Sequence, residues 1–306
     1  LPCQLEYFSG KDVRKIGCGG HHTLAVCSND GVYAWGYNGN GQLGKGDTSN
    51  ASSPVKLEYF SGKVVRKIGC GGHHTLAVCS NDGVYAWGCN GYGQLGKGDT
   101  SNASSPVKLE YFSGKVVCKI GCGYNHTLAV CSNADVYAWG HNGYGQLGKG
   151  DTSHASSPVK LEYFSGKDVR KIGCGYHHTL AVCSNDGVYA WGHNGYGELG
   201  KGDTSHASSP VKLEYFSGKD VRKIGCGGYH TLAVCSNDGV YAWGQNGYGQ
   251  LGKGDTIPSH NGVFGGSCSC SCSCPCCCSC CKAYCVCGCV WRWLCCRCRD
   301  ARGSHE

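Results

Sequence analysis

Val32-Tyr33-Ala34-Trp35-Gly36 returns unchanged at 84–88, 136–140, 188–192 and 240–244. Trp35, Trp87, Trp139, Trp191 and Trp243 stand 52 residues apart at every step, with no insertion. A fixed period of this size marks an array of one supersecondary unit, because so small a unit buries its apolar face only against a neighbouring copy. Working outward from the Trp, four strands are expected per unit. VRKIGC at 13–18 is the first and TLAVC at 23–27 the second, a continuous apolar run suited to a strand covered on both faces. The quoted stretch is the third. VKLEYF at 55–60 is the fourth, with Val55, Leu57 and Tyr59 alternating against Lys56 and Glu58.

The connections agree with this reading. Asn29-Asp30-Gly31 is a hairpin signal, since the tight turns that join antiparallel strands need φ > 0. Pro54 opens the fourth strand, where its missing N–H costs least. The chain starts with LPCQLEYF (residues 1–8), a match to the fourth strand alone, and the fifth unit loses that strand after Thr256. The expected fold is therefore all-β: a β-propeller of five four-stranded blades, with residues 3–8 pairing beside 240–244 to close the ring and remove its sheet edges. The propeller would span 1–256, with 257–306 as a separate tail. In the third unit Asn133-Ala134-Asp135 replaces Asn-Asp-Gly. Loss of Gly from a φ > 0 position costs about 1 kcal/mol, so this hairpin is expected to be the weakest and to exchange amide protons faster at 131–137 than 183–189 does.

Composition narrows the function classes. The 306 residues carry a formal charge of +7, and within a repeat Lys11, Arg14, Lys15, Lys45 and Lys56 sit against Asp12, Asp30, Asp47 and Glu58. No basic face stands out, so a nucleic-acid partner is not expected. No apolar run reaches the length of a membrane span, and residues 1–20 lack the pattern of a secretory signal. The chain holds no Met and begins Leu1-Pro2-Cys3, which reads as part of a longer frame. Cys18, Cys27 and their equivalents in each unit lie in strand-like runs and read as small core hydrophobes in a reducing compartment, cytoplasmic or nuclear.

Several chemical motifs dissolve on inspection. Gly39-Asn40-Gly41-Gln42-Leu43-Gly44-Lys45 imitates a phosphate loop, but Gly46 stands where a Ser or Thr would hold Mg²⁺, and a strand follows instead of a helix. His22, His74, His126, His178 and His230 recur in every unit, as a structural histidine bonded within its own blade would. Repetition supplies like groups around an axis, whereas an active site needs unlike groups to converge, so neither catalysis nor a cofactor is expected.

The run Gly31 to Gly36, with Asn38, Gly41-Gln42-Leu43-Gly44, Pro54, Cys18-Gly19 and His22-Thr23-Leu24-Ala25, resembles the repeat of the regulator of chromosome condensation family, and most closely its BTB-linked members. The resemblance covers 1–256. It implies propeller blades, most often seven to a ring. It offers partners from a small Ran-type GTPase, through nucleotide exchange, to ubiquitin-ligase components. The exchange factor's wedge-like insertion has no room in a uniform 52-residue spacing. The family's ultraviolet-B sensor carries Trp in the Gly-x-x-His-Thr segment. Here those positions read Gly20-His21, Gly72-His73, Tyr124-Asn125, Tyr176-His177 and Gly228-Tyr229, with no Trp.

The repeats differ where loops are expected, and loops on a rigid frame acquire partners. One series reads Tyr37, Cys89, His141, His193 and Gln245; another Asn50, Asn102, His154 and His206; Glu198 replaces a Gln. The candidate partner-binding residues are thus Tyr37, His141, His193, Gln245, Tyr124, Tyr176, Tyr229, His154 and His206. The expected role is a protein–protein interaction scaffold. The alternatives are a Ran-type GTPase regulator and a metal-thiolate protein acting through the tail. In that tail fifteen Cys crowd residues 268–298, so Cys268, Cys270, Cys272 and Cys274 are candidate soft-metal ligands. Their irregular spacing reads first as disordered low-complexity sequence.

Overall fold

In a computed structural model of the chain, the described residues are 4–28, 31–80, 83–184, 187–236 and 239–259. The chain divides into two units, 1–265 and 266–306; the second, with the four candidate tail cysteines, lies outside the described residues.

The first blade is β1 (Val13–Cys18), β2 (His22–Cys27), β3 (Val32–Gly36) and β4 (Ala51–Lys56). The second is β5 (Val65–Cys70), β6 (His74–Cys79), β7 (Val84–Gly88) and β8 (Ala103–Lys108). The third is β9 (Val117–Cys122), β10 (His126–Cys131), β11 (Val136–Gly140) and β12 (Ala155–Lys160). The fourth is β13 (Val169–Cys174), β14 (His178–Cys183), β15 (Gly187–Gly192) and β16 (Ala207–Lys212). The fifth is β17 (Val221–Cys226), β18 (His230–Cys235) and β19 (Val240–Gly244). Every sheet is antiparallel with its strands in chain order, the layout of a propeller blade. The first strands lie side by side in sequence: β1 by β5, β5 by β9, β9 by β13 and β13 by β17.

The core sits between blades. Leu24, Val26, Val32 and Ala34 of one blade face Val65, Ala77, Cys79, Tyr85 and Trp87 of the next. Leu57 and Phe60, on the segment joining the two, seal the gap. Burying a side chain such as Phe60 contributes about 2 kcal/mol, so each joint gains several such increments. Cys79 and Cys131 are buried here, and burial pushes both thiols up to about 11, in keeping with inert core residues.

Two expectations need correction. The fourth strand is Ala51–Lys56; Glu58–Phe60 forms a 3₁₀ turn, as do the equivalent residues of later repeats. Leu57 and Phe60 are three residues apart, so the turn points both inward and leaves Tyr59 exposed, which a strand could not do. The ring closure by the N-terminal strand fails for the same reason. Glu6–Phe8 is that same turn, and Tyr7 and Phe8 pack on Tyr33 and Trp35 of the first blade. It does what Phe60 does to Tyr85 and Trp87: it covers the blade that follows it. Among the described residues the fifth sheet has three strands, and the outer edge of β19 is met by the single bridge Gly244–Ser259. A methyl group on Gly69 would fall 2.9 Å from the Cys122 sulfur of the next blade, while one on Gly225 would meet nothing within 4 Å.

The third hairpin also differs in detail. The left-handed residue is Ala134, at φ 67°, one place before the lost glycine. Asp135, standing where Gly was, accepts from Asn133 Nδ2 at 2.8 Å and pairs with Lys160 at 2.9 Å. Ala134→Gly should therefore stabilise the protein by up to about 1 kcal/mol, since a Cβ is disfavoured in this conformation. The urea midpoint reports it, and an unchanged or lower midpoint counts against the reading.

Candidate functional site

The repeated histidines and tryptophans are joint parts. Trp87 Nε1–H donates to the Gln42 carbonyl of the preceding blade at 2.9 Å, and the Thr75 hydroxyl donates to the same oxygen at 2.9 Å. His22 Nε2 lies 2.9 Å from Thr75 Oγ1. With the threonine proton committed to the carbonyl, its oxygen accepts, so the His22 proton belongs on Nε2. Nδ1 is then the unprotonated nitrogen, and among the described residues no acceptor faces it that would hold a proton there. The same relay joins His74, Thr127, Gln94 and Trp139. It recurs at His126, Thr179, Gln146 and Trp191, and at His178, Thr231, Glu198 and Trp243. The histidine is structural, as expected, but its partner is the next blade's threonine and not its own backbone. A second proton would put an unpaired N–H in the core. Burial accordingly lowers His22 to about 4 and His74 to about 3.

The glycine-rich loop is part of the same joint. Asn38 Nδ2 donates to the carbonyls of Asp47 and Ser49, and Asn38 Oδ1 accepts from Leu43 N–H at 2.8 Å. The loop is thereby folded to offer the Gln42 carbonyl outward, which leaves no phosphate cradle.

The turn between the first two strands and the loop after the third lie at one end of each blade. There the variable positions converge into one face. At the turns that follow the five first strands run His21, His73, Tyr124, Tyr176 and Tyr229, with neighbouring ring centroids 5.7, 5.6, 5.0 and 5.4 Å apart. Outside them Tyr144 touches His193 at 4.8 Å, His206 at 5.2 Å and His177 at 5.2 Å. His141 stacks near His154 at 4.7 Å, and Tyr37 meets His73 at 5.9 Å. Eight of the nine candidate residues make ring contacts in this face. Gln245, at the same loop position, donates its backbone N–H to the Tyr229 carbonyl at 2.9 Å and accepts from Gln250 Nε2 at 3.3 Å, so it lies beside the face without adding a ring to it.

Two candidates have a second task. His154 and His206 accept the backbone N–H of Asn142 and Asn194 through Nδ1 at 3.0 Å, replacing Asn50 and Asn102, which serve Asn38 and Asn90. Sequence reasoning missed Tyr92, Tyr144 and Tyr196, which share one position after Asn-Gly, and the central His177. That recurring loop tyrosine was the available signal. Glu198 is buried, its Oε1 2.7 Å from His193 Nδ1 and its Oε2 accepting from Tyr196 N–H at 2.9 Å. Burial lowers His141 to about 4, with His154 and His177 adding to the shift. Burial likewise lowers His73, His177 and His206. At neutral pH these imidazoles are uncharged, and they extend the aromatic surface. Among the described residues no group of His, Cys, Asp or Glu is arranged to hold a metal ion.

Known proteins share this architecture. Human WBSCR16 superposes with a TM-score of 0.72 at 28% identity, over 83% of this chain and 67% of that one. The Arabidopsis thaliana ultraviolet-B receptor UVR8 is 36% identical over 256 residues, 84% of this chain and 58% of the receptor. The human E3 ubiquitin-protein ligase HERC2 is 34% identical over 260 residues, but they are 5% of its length. The chain thus spans about half of the first relative and a small part of the second. The family described as RCC1-like domain matches residues 2–274. Five repeats, their blade geometry and this match agree that the chain belongs to the RCC1-like domain family.

Proposed function

We propose that the chain is a protein-interaction scaffold that binds its partner through the histidine–tyrosine face. The observation that supports this is the convergence of unlike aromatic side chains from successive blades, with Tyr37, Tyr92, Tyr176 and Tyr196 each about two-fifths exposed at 41–43%. Tyr and neutral His present large, rigid contact area at low entropic cost, the composition that anchors protein interfaces. The reading does not need a closed ring, because the face is assembled from contacts within blades and between sequential neighbours, from His21 and Tyr37 of the first blade to Tyr229 of the fifth.

A small GTPase or a ubiquitin-ligase component is the class of partner in keeping with the relatives. Free thiols among the described residues, such as Cys27, Cys79, Cys131 and Cys235, suit a reducing compartment, cytoplasm or nucleus. Among those residues no helix is long and apolar enough to cross a membrane. The test is capture from a cell lysate on the immobilised chain and on the double variant Tyr144→Ser, Tyr196→Ser. A protein retained by the native chain should be lost from the variant at an unchanged unfolding midpoint. Equal capture by both would overturn the assignment.

A further inference from the structure

The opposite end of the five first strands has a different chemistry. A cavity of about 610 Å³ opens there, lined by the first strands of all five blades. Lys15, Lys67, Lys119, Lys171 and Lys223 stand around it, with Arg66 and Arg222, and no acidic residue is in its lining. Beside each lysine an isoleucine faces the same space: Ile16, Ile68, Ile120, Ile172 and Ile224.

The backbone is shaped to produce this. Each first strand carries a bulge before its lysine, between Val13 and Lys15 and at the four equivalent sites. A bulge bends a strand and re-aims its side chains, and here it brings successive Lys and Ile to one cavity. None of the five lysines has an ion pair among the described residues. Of the carboxylates nearby, Asp12 pairs with Arg14 at 3.6 Å, Asp220 with Arg170 at 3.4 Å and Arg222 at 3.9 Å, and Asp168 accepts from the Ser184 hydroxyl. In blades two and three that acidic position is Val64 and Val116, and Arg66 is left with no partner among the described residues. Convergence of unpaired like charges opposes folding by self-repulsion, so the arrangement has no structural return.

From this geometry we infer that the basic mouth is a binding site for an acidic peptide segment of a partner, with carboxylates meeting the lysines and an apolar side chain entering over the isoleucines. The isoleucine set decides between anions. A polyphosphate is charged throughout and would bring anionic oxygens against five aliphatic side chains without a gain from covering them. A peptide alternating acidic and apolar residues satisfies both parts, and the cavity is of the size that encloses a small ligand. The site is at the other end of the first strands from the histidine–tyrosine face and does not depend on it.

The test is fluorescence anisotropy of a fluorescein-labelled peptide, Glu-Leu-Asp-Glu-Phe-Asp, with the full chain at low and at physiological salt. Binding should weaken with salt. The double variant Lys67→Gln, Lys119→Gln should lower affinity on the order of tenfold, while Lys67→Arg, Lys119→Arg should keep it. Ile120→Ser should weaken the peptide and leave inorganic tripolyphosphate unaffected. No binding, or binding indifferent to the lysine substitutions, overturns the site. Tripolyphosphate that displaces the peptide, together with peptide affinity indifferent to Ile120→Ser, overturns the peptide assignment.

Discussion

Acidification from pH 7 to pH 5 is expected to bring the protein close to unfolding. The joints hold His22, His74, His126 and His178 as neutral imidazoles whose Nδ1 atoms have no partner. Burial lowers His22 and His178 to about 4, His74 to about 3, and His126 well below its ordinary value. An unfolded histidine titrates near 6.5. Between that value and the folded one the unfolded chain binds more protons, so stability falls as pH falls. The stabilisation is fully present above about 6.5 and is lost progressively toward 4. From pH 7 to pH 5 each of the three histidines with a stated value loses about 2 kcal/mol, and His126 acts in the same direction. Their sum approaches the net stability of an ordinary domain, about 5–15 kcal/mol. Urea midpoints at pH 7, 6 and 5 measure it; midpoints that coincide would refute the neutral relay.

Trp139→Ala should cost about 4 kcal/mol, and Trp35→Ala less than half as much. The two residues hold the same position in their repeats and differ in what precedes them. Trp139 is fully buried, packs on Phe112 at 5.6 Å and donates to the Gln94 carbonyl at 2.9 Å. Gly96, at φ 75°, lies so close that a methyl group there would sit 2.7 Å from Trp139 Nε1. Removing the indole deletes all its packing, leaves a cavity, and takes a donor from a buried carbonyl. Trp35 is half-buried beside an apolar cavity of about 460 Å³, covered by Phe8, with no preceding loop to receive its N–H among the described residues. Equal losses in urea unfolding would mean that the joint contributes little to the tryptophan's worth.

How much of this was legible follows from where the information lies. The blades were readable because strand and turn preferences act locally: Val32 to Trp35 is a short apolar run of strand-forming residues, Gly36 takes φ 109°, and the period repeats both without error. The Leu57 to Phe60 turn was misread because Val55 to Tyr59 alternates apolar and polar residues as a half-exposed strand does, while the three-residue spacing of Leu57 and Phe60 that marks the turn is carried by a single pair. The false ring closure followed from it. The joint was hidden because its central acceptor is a main-chain carbonyl, at Gln42, which has no side-chain signature. Of the histidine–tyrosine face, the variable positions were visible, but Tyr144 and His177 were not singled out, since their meeting depends on loops from different blades. The basic mouth was invisible in a charge count. Lys15 and Asp12 cancel in a sum, yet the bulged strand sends the lysine inward and leaves the aspartate at the rim.

The joint has a consequence for how such a chain changes over generations. Each blade carries one half of the seam on its leading side and the other half on its trailing side, so any copy fits any other. Unequal exchange between two repeats removes or adds a whole blade and still leaves every remaining seam with its full set of atoms. Blade number is therefore a quantity that inheritance alters in single steps, while the seam itself, needing four residues from two repeats at once, resists gradual replacement.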